Sequence, residues 1–363
     1  MELNLIGIGG LGLMLSPSAK HLANNSPARY LRIYDRGTKD ARRDASRNRW
    51  REHGAELVSS YEELIGDGNF GGVVICAGKN GDGFNIIRKL VPMMKERCSR
   101  LPFIIHLSTL SAGFVAAAYQ FCKTNGIAYG NYPLTGGPAG AEAAAMLILA
   151  SGDRELYQTV APMLQAIGTP RYFGENPTAG AEVKLIGHFM VFGGLTGITS
   201  AAALHAGCFG GGIGGEAQTG FFDFLNAGAG GTKQWDIALK KGVENGVWGQ
   251  GFMIHHAVVD TIYAAQLALD KNLPAFAVLS MIHCSLALAF LTQKYKDEPL
   301  ATHAIVREFT GKNKDEFDEF FLKHYHFPEL QASIQSSIEA LPKKIRKTVM
   351  LDVCIDDFIE AAV

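Results

Sequence analysis

The glycines near the start of the chain have the spacing of a dinucleotide-binding turn. Gly7 ends the apolar segment Leu3–Gly7, and together with Gly9 and Gly12 it matches the pattern Gly-x-Gly-x-x-Gly. One glycine permits the tight bend, one lets the backbone approach a pyrophosphate, and one allows close packing of the next helix. The first N–H groups of that helix then face the phosphates. The predicted phosphate-binding residues are Gly7, Gly9, Gly10, Leu11 and Gly12.

An acidic residue ends the second apolar segment, Tyr30–Asp35. A carboxylate at this position hydrogen-bonds the ribose hydroxyls of NAD, whereas an arginine nearby can accept the 2′-phosphate of NADP. Asp35 and Arg36 therefore predict NAD or NADP as the cofactor, with NAD weakly favoured by Asp35. A solvated carboxylate at a strand end is the alternative interpretation of Asp35.

Thr135, Gly136 and Gly137 follow another apolar segment and could bind a small acid. A hydroxyl and unhindered backbone N–H groups at a strand end can hold a carboxylate. An ordinary glycine-rich turn explains the same three residues equally well.

Lys184 is the single Lys or Arg between Arg171 and Lys233, and it precedes a long uncharged segment. A lysine in apolar surroundings loses hydration, which favours its neutral form and suits it to act as a general base. A lysine that extends its amine to solvent from a helix end is the alternative. His188 lies one helical turn further on and shares the face of Lys184. It could orient a substrate or share proton transfer, or it could be a core histidine.

The elements that must position these residues change in type near residue 175. Before it, short apolar segments alternate with helical ones, which predicts a parallel sheet. After it, long apolar helices dominate. We predict an α/β fold, an N-terminal Rossmann doubly wound parallel sheet followed by an all-α C-terminal domain, with domains at 1–175 and 176–363. The predicted strands are Leu3–Gly7, Tyr30–Asp35, Glu56–Ser59, Gly72–Ala77, Phe103–Leu107 and Ile127–Leu134, with edge strands at Met146–Ala150 and Arg171–Phe173.

Small and hydroxyl-bearing residues stand at the ends of the fourth and fifth predicted strands. Ala77 ends the fourth strand and Gly78 follows it, and Ser108 and Thr109 follow the fifth. Ala77 and Gly78 are predicted to contact the dinucleotide. The polar, glycine-containing segment Lys79–Gly83 is predicted to be a mobile loop over the cofactor.

Residues 1 to about 295 resemble the β-hydroxyacid dehydrogenase superfamily, which includes 3-hydroxyisobutyrate and 6-phosphogluconate dehydrogenases. Four segments carry the resemblance: the glycine turn, Ser108-Thr109, the segment from Pro133 to Ala141, and the segment from Gly180 to Leu185. The resemblance implies that Lys184 is catalytic and that Thr135, Gly136 and Gly137 bind the substrate. It also implies that Ser108 and Thr109 lie near the nicotinamide.

The sequence departs from the family pattern in three places. His188 stands where the family usually has asparagine, and Val259 stands where it often has lysine. The chain beyond about residue 300 has no counterpart in the shorter members. The expected reaction is hydride transfer between a nicotinamide cofactor and a small hydroxy acid or the matching semialdehyde. An imine reductase on the same scaffold and a catalytically inactive dinucleotide-binding protein are the alternatives.

Composition excludes several other classes of function. The net charge of −1 gives no basic surface for nucleic acid or an anionic membrane. Leu185–Gly215 is long enough to span a bilayer, but its many glycines and lack of basic flanks favour a buried helix. The long uncharged helices need more cover than one small domain offers, which predicts a homodimer or higher homo-oligomer.

The cysteines and histidines do not have the spacing of a metal site. The six cysteines form no Cys-x-x-Cys pair, and His255, His256, His324 and His326 have no matching cysteine or carboxylate cluster. We therefore expect no metal. Free cysteines and the lack of a signal-peptide pattern predict a cytoplasmic protein.

Overall fold

A parallel sheet of six strands organises the first half of the chain in the computed structural model, which describes residues 3–9, 12, 14–26, 28–34, 41–210 and 216–361. The strand order is β3-β2-β1-β4-β5-β6, and every neighbouring pair is parallel. The order reverses between β1 and β4, which places a crevice outside the carboxyl ends of these two strands. The predicted Rossmann sheet is confirmed. The strands are β1 Leu3–Ile8, β2 Ala28–Tyr34, β3 Glu56–Val58, β4 Gly72–Ile75, β5 Phe103–His106 and β6 Tyr129–Asn131.

A second, smaller sheet follows the first. Its three strands are β7 Leu134–Thr135, β8 Met146–Ala150 and β9 Gly168–Tyr172. β7 pairs antiparallel with β8, and β8 pairs parallel with β9. The two predicted edge strands therefore form a separate sheet, and the predicted sixth strand divides into β6 and β7.

Helices cover both faces of the six-stranded sheet. Val73 and Val74 are adjacent on β4 and fully buried in different clusters, because successive strand residues point to opposite faces. Leu90 lies in the cluster of Val73, and Leu164 lies in the cluster of Val74. The helices of this region are α1 Ser18–Asn25, α2 Ala41–Glu52, α3 Tyr61–Ile65, α4 Asn80–Arg97, α5 Ala112–Thr124, α6 Gly137–Glu142 and α7 Arg154–Ile167.

The prediction of a mobile loop at Lys79–Gly83 is wrong, because α4 begins at Asn80. Asn80 is fully buried, and a Cβ atom at Gly83 would lie 2.9 Å from the His106 ring and 3.0 Å from the Phe114 ring. The glycine thus allows the first turn of α4 to pack closely on β5 and α5. The polar composition of the segment reflects helix initiation and close packing.

The chain divides into two compact units. The first contains the chain up to Lys184 together with Thr348–Val363, and the second contains Leu185–Lys347. The described secondary structure of the second unit is helical, apart from an isolated bridge between Met253 and Ala301. Its helices include the main part of α8 Ala179–Phe209, followed by α9 Glu216–Asn226, α10 Lys233–Ile237, a π-helical turn Ala238–Val243, α11 Ile254–Asp270, α12 Ala275–Lys294, α13 Ala304–Phe309, α14 Lys314–His324, α15 Leu330–Glu339 and most of α16 Lys343–Val349.

The predicted domain division at residue 175 differs from this structure at two places. The first turn of α8 packs in the first unit, where Ala181 is fully buried in the core. The C-terminal residues after α16 also return to the first unit, where the short helix α17 Ile355–Glu360 inserts the fully buried Phe358. Local composition cannot predict this return, because the contacts join residues that are distant in sequence.

Within the part of the chain that the structure describes, two helices are long and apolar enough to cross a membrane by length and composition alone. About a third of the most apolar stretch of α8 is buried within the protein, and about two thirds of that of α12. This is weak evidence for a membrane span, because core helices pass the same test.

Candidate functional site

The glycine turn after β1 passes very close to the end of β4. Gly9 has φ of +81°, and a Cβ atom there would lie 2.5 Å from the Cys76 carbonyl oxygen and 2.6 Å from Ala77 Cβ. Only glycine satisfies both the left-handed backbone and the close approach. Gly12 is exposed, and among the residues that the structure describes the nearest atom to a Cβ atom there would be the Gly9 carbonyl oxygen, at 3.9 Å. The turn therefore presents accessible backbone at the switch point, which fits a dinucleotide phosphate. The predicted contacts Gly10, Leu11, Asp35 and Arg36 lie outside the described residues.

The first glycine of the motif, Gly7, has a packing role. A Cβ atom at Gly7 would lie 3.0 Å from the Tyr30 ring and 3.3 Å from Ile33 Cγ1. Gly7 thus lets β1 approach the side chains of β2. The packing of the sheet therefore explains why this position of the motif is glycine.

The ends of β4 and β5 are joined by a hydrogen bond beside this turn. The Ser108 hydroxyl donates to the Ala77 carbonyl oxygen at 3.1 Å. Gly78 has φ of +60°, and a Cβ atom there would overlap the Asp82 carboxylate. Thr109 is half-buried next to Ser108. The structure therefore brings Ala77, Gly78 and Ser108 together at the carboxyl edge, with Gly9 against Ala77.

Asn131, at the end of β6, is a residue that the sequence analysis missed. Its fully buried side-chain amide donates to the carbonyl oxygens of His106, at 2.8 Å, and Ser108, at 3.0 Å. The amide thereby fixes the backbone that presents Ser108 and Thr109. In the sequence, the available signal was an asparagine directly before the Tyr132-Pro133 pair. The hydrogen-bond partners of Asn131 follow only from the pairing of β5 with β6.

The first turn of α8 is packed against β8 and β6. The Gly180 N–H donates to the Ser151 hydroxyl at 2.8 Å. A Cβ atom at Gly180 would lie 2.3 Å from the Leu149 carbonyl oxygen and 3.2 Å from the Asn131 carbonyl oxygen. Lys184 is half-buried one turn further along the same helix. The backbone of Asn131 thus contacts the turn that precedes Lys184, and its side chain holds the turn of Ser108.

The predicted substrate-binding residues form the connection between β7 and α6. Thr135 is half-buried at the end of β7. Gly136 and Gly137 have φ of +127° and +67°, and Gly136 caps α6. These two positions require glycine for their backbone conformation, which agrees with either a binding turn or a structural one.

Buried titratable groups near the carboxyl edge are held in their neutral forms. Burial lowers the pKa of His106 to about 3 and raises the pKa of the Cys76 thiol to about 12. The His106 ring lies near the Tyr129 hydroxyl, with Nδ1 at 3.3 Å from the oxygen. Neither group has the ionisation expected of an acid, a base or a nucleophile at neutral pH.

His188 belongs to a separate buried cluster within the second unit. Its Nδ1 atom lies 3.8 Å from Oδ2 of Asp260 on α11, and both side chains are almost fully buried. The rings of Phe192 and Phe252 flank the imidazole at centroid distances of 5.3 and 6.1 Å. The structure therefore pairs the histidine with a carboxylate of the later helix, which the sequence analysis did not anticipate.

No group of three or more metal-binding side chains occurs within the described ranges. All six cysteines are free thiols, four of them wholly or partly buried.

Comparison with known proteins finds a family model that covers most of the first unit. The sequence model for the NAD binding domain of 6-phosphogluconate dehydrogenase matches residues 5–183. An uncharacterized oxidoreductase from Synechocystis is 25% identical over 300 residues, which are 79% of this chain and 94% of the relative. The 2-(hydroxymethyl)glutarate dehydrogenase of Eubacterium barkeri is 22% identical over 177 residues, or 49% of this chain and 57% of the relative.

Solved structures share the fold at low sequence identity. The 3-hydroxyisobutyrate dehydrogenase of Mycobacterium tuberculosis, solved with L-serine, has a TM-score of 0.66 at 17% identity, covering 84% of this chain and 98% of its own. An imine reductase from Myxococcus stipitatus, solved with NADP+, has a TM-score of 0.52 at 15% identity, with coverages of 84% and 99%. Both carry the combination of a Rossmann sheet and helices that the sequence predicts.

Proposed function

We propose, from the premise that this chain belongs to the β-hydroxyacid dehydrogenase superfamily, that it oxidises a small hydroxy acid or reduces the matching semialdehyde with a nicotinamide dinucleotide. The proposal depends mainly on one observation. Asn131 contacts both the Ser108 turn, through its side chain, and the Gly180 turn that precedes Lys184, through its backbone. The residues that we assign to cofactor binding and to proton transfer thus both lie next to Asn131, at the end of β6 in the first unit.

Each group of residues has a distinct part in the proposed reaction. Gly9 and Gly12 offer backbone to the pyrophosphate, and Thr135 with the two following glycines holds the substrate carboxylate. The bound dinucleotide supplies the hydride acceptor or donor. Lys184 removes the hydroxyl proton during oxidation and returns it during reduction. Ser108 lies at the nicotinamide end, where its hydroxyl is oriented by the Ala77 carbonyl oxygen.

The test is a turnover assay with purified protein, NADH or NADPH, and a panel of semialdehydes and cyclic imines, together with the reverse reaction on hydroxy acids. We expect turnover of at least one hydroxy acid or semialdehyde. Turnover of imines alone would favour the imine reductase, for which Lys184 is the unfavourable feature because such enzymes often replace this lysine. Dinucleotide binding without turnover of any compound would favour a catalytically inactive binding protein. His188 suggests this alternative because it stands where the family usually has asparagine.

For the cofactor we propose NAD over NADP, with modest selectivity. The support is the residue type at position 35, since a carboxylate there repels a 2′-phosphate, and Arg36 offsets part of this bias. Asp35→Ala should weaken NAD binding by about tenfold, as expected for the loss of hydrogen bonds to a charged acceptor, and raise the relative use of NADP. Fluorescence titration with both reduced cofactors measures this. A wild-type protein that strongly prefers NADPH, with no change in the variant, would contradict the proposal.

We also propose that the protein is cytoplasmic and forms a homodimer or a higher homo-oligomer. The second unit exposes large apolar side chains on α8 and α9, including Met190, Leu204, Phe209 and Phe224, each at least 70% exposed. Apolar surface of this kind is typical of an interface between copies. Light scattering at micromolar concentration should give the mass of a dimer or a higher oligomer, and a fully active monomer would contradict it.

A further inference from the structure

The C-terminal segment 350–361, called here the C-terminal tail, is part of the core of the first unit. Phe358 is fully buried, with its ring stacked on Phe121 at 5.1 Å and tilted against Phe84 at 4.7 Å. Val353 is buried in the same cluster. The tail lies beyond the segments that carry the family resemblance, so its packing on α4 and α5 is a property of this chain.

The tail also reaches a polar residue next to the proposed cofactor site. Asn80 is fully buried and is the first residue of α4, two positions after Gly78. Its Nδ2 atom donates to the Ser111 hydroxyl at 2.8 Å and to the Met350 carbonyl oxygen at 2.9 Å. Its Oδ1 atom accepts from the Ser111 N–H at 3.1 Å.

These bonds connect the two turns that face the dinucleotide. Ser111 is the N-cap of α5, where its hydroxyl accepts from the Phe114 N–H at 3.2 Å, and it lies two positions after Thr109. Asn80 therefore joins the β4–α4 turn, which contains Gly78, to the β5–α5 turn, which contains Ser108 and Thr109.

The carbonyl oxygen of Met350 and the N–H of Ser111 together determine how the Asn80 amide is oriented. With Nδ2 toward Met350, the amide satisfies this carbonyl, while Oδ1 satisfies the Ser111 N–H. Rotation of the amide by half a turn would place Oδ1 against the carbonyl oxygen and Nδ2 against the N–H, so both bonds would be lost. Buried polar groups without partners are costly, so the tail favours the single orientation in which both turns are held.

We propose that Asn80 is a positioning residue for dinucleotide binding, and that the C-terminal tail acts on the cofactor site through its Met350 carbonyl. This inference rests on the proposed dinucleotide site, but not on the proposed role of Lys184 or on the identity of the substrate. Loss of the Asn80 bridge should loosen the spacing of the β4–α4 and β5–α5 turns and weaken cofactor binding.

The test is a double-mutant cycle on the full chain, with the dissociation constants of NADH and NADPH measured by fluorescence titration. Asn80→Ala should raise the dissociation constant of the preferred cofactor by about tenfold, the change expected when one set of positioning hydrogen bonds is lost. Phe358→Ala should release the tail and raise this dissociation constant to a similar extent. In the double variant the two effects should not add, because both act through the same amide. Val91→Ala removes buried volume from the same core further along α4 and should leave the dissociation constant within about twofold.

Three results would overturn the inference: unchanged binding in Asn80→Ala, additive effects in the double variant, or an equal loss of binding in Val91→Ala at the same loss of thermal stability. If the wild-type protein binds neither dinucleotide, the proposed function fails together with this inference. If the wild type binds and the variants bind equally well, only this inference fails.

A second measurement requires no variant and so remains decisive if the substitutions prevent folding. Coupling between two sites is reciprocal, so a dinucleotide whose binding is favoured by the tail must in turn stabilise the tail. Hydrogen exchange of peptides covering residues 350–358 should slow when the wild-type protein is saturated with the preferred cofactor. Exchange that is unchanged on binding would overturn the inference.

Discussion

The first turn of α8 and the turn around His188 are held in place by different kinds of contact. At Gly180 the absence of a side chain lets the helix backbone meet the carbonyl oxygens of Leu149 and Asn131. At His188 a side chain is held by another side chain, the Asp260 carboxylate, and by two aromatic rings. The backbone contact leaves no room for substitution, whereas the side-chain cluster can rearrange. We therefore expect function to depend more steeply on the first turn and on Lys184, which follows it.

The largest expected effect is that of removing the Lys184 amine. Lys184→Ala should lower kcat by about 100- to 10,000-fold, the usual contribution of a general base, while dinucleotide affinity stays nearly unchanged. Steady-state kinetics on the best substrate, with cofactor titration, measures both quantities.

A matched control for this variant is Lys233→Ala, which removes an exposed lysine from the start of α10 and should leave kcat unchanged. Near wild-type kcat in Lys184→Ala would refute the assignment. Loss of the folded state, seen by circular dichroism, would instead show that the lysine is structural.

The next largest effect should come from adding one methyl group to the first turn. A Cβ atom at Gly180 would lie 2.3 Å from the Leu149 carbonyl oxygen, so Gly180→Ala must shift the helix or the strand. Overpacking of this kind typically costs about 1–3 kcal/mol of the free energy of unfolding. Because Lys184 follows on the same helix, kcat should fall as well. Denaturant unfolding and steady-state kinetics measure the two effects.

Gly187→Ala provides the control within the same helix. A Cβ atom at Gly187 would meet no described atom within 4 Å, and alanine is favoured over glycine in a helix by about 1 kcal/mol. This variant should be as stable as the wild type or more so. If Gly180→Ala and Gly187→Ala destabilised the protein equally, the close backbone contact at Gly180 would not distinguish the first turn of α8 from the turn around His188.

The smallest expected effect is at the side-chain cluster. His188→Ala should lower kcat less than Lys184→Ala does if the histidine only orients the substrate, and Asp260→Asn should be milder still because it keeps the shape of the partner. Kinetic constants for both variants, compared with their thermal stabilities, separate an effect on substrate from one on folding. A loss of kcat in His188→Ala as large as in Lys184→Ala would make the histidine a full participant in proton transfer.

The sequence alone determined the features whose causes are local. The alternation of apolar segments and helices predicted the parallel sheet, and the glycine spacing located the turn at its switch point, because a strand, a tight bend and a helix start each depend on neighbouring residues. The same local reasoning failed at Lys79–Gly83, where glycine marks close packing of a helix on β5 and α5.

The tertiary structure decided which distant residues meet. Asn131 holds the Ser108 turn only because β5 and β6 are neighbours, and His188 meets Asp260 only because α8 and α11 approach each other at this point within the second unit. The amide of Asn80 meets the carbonyl oxygen of Met350 across 270 positions of sequence. Such contacts are fixed by the global packing of apolar faces, and the sequence of either segment by itself carries no signal for its partner.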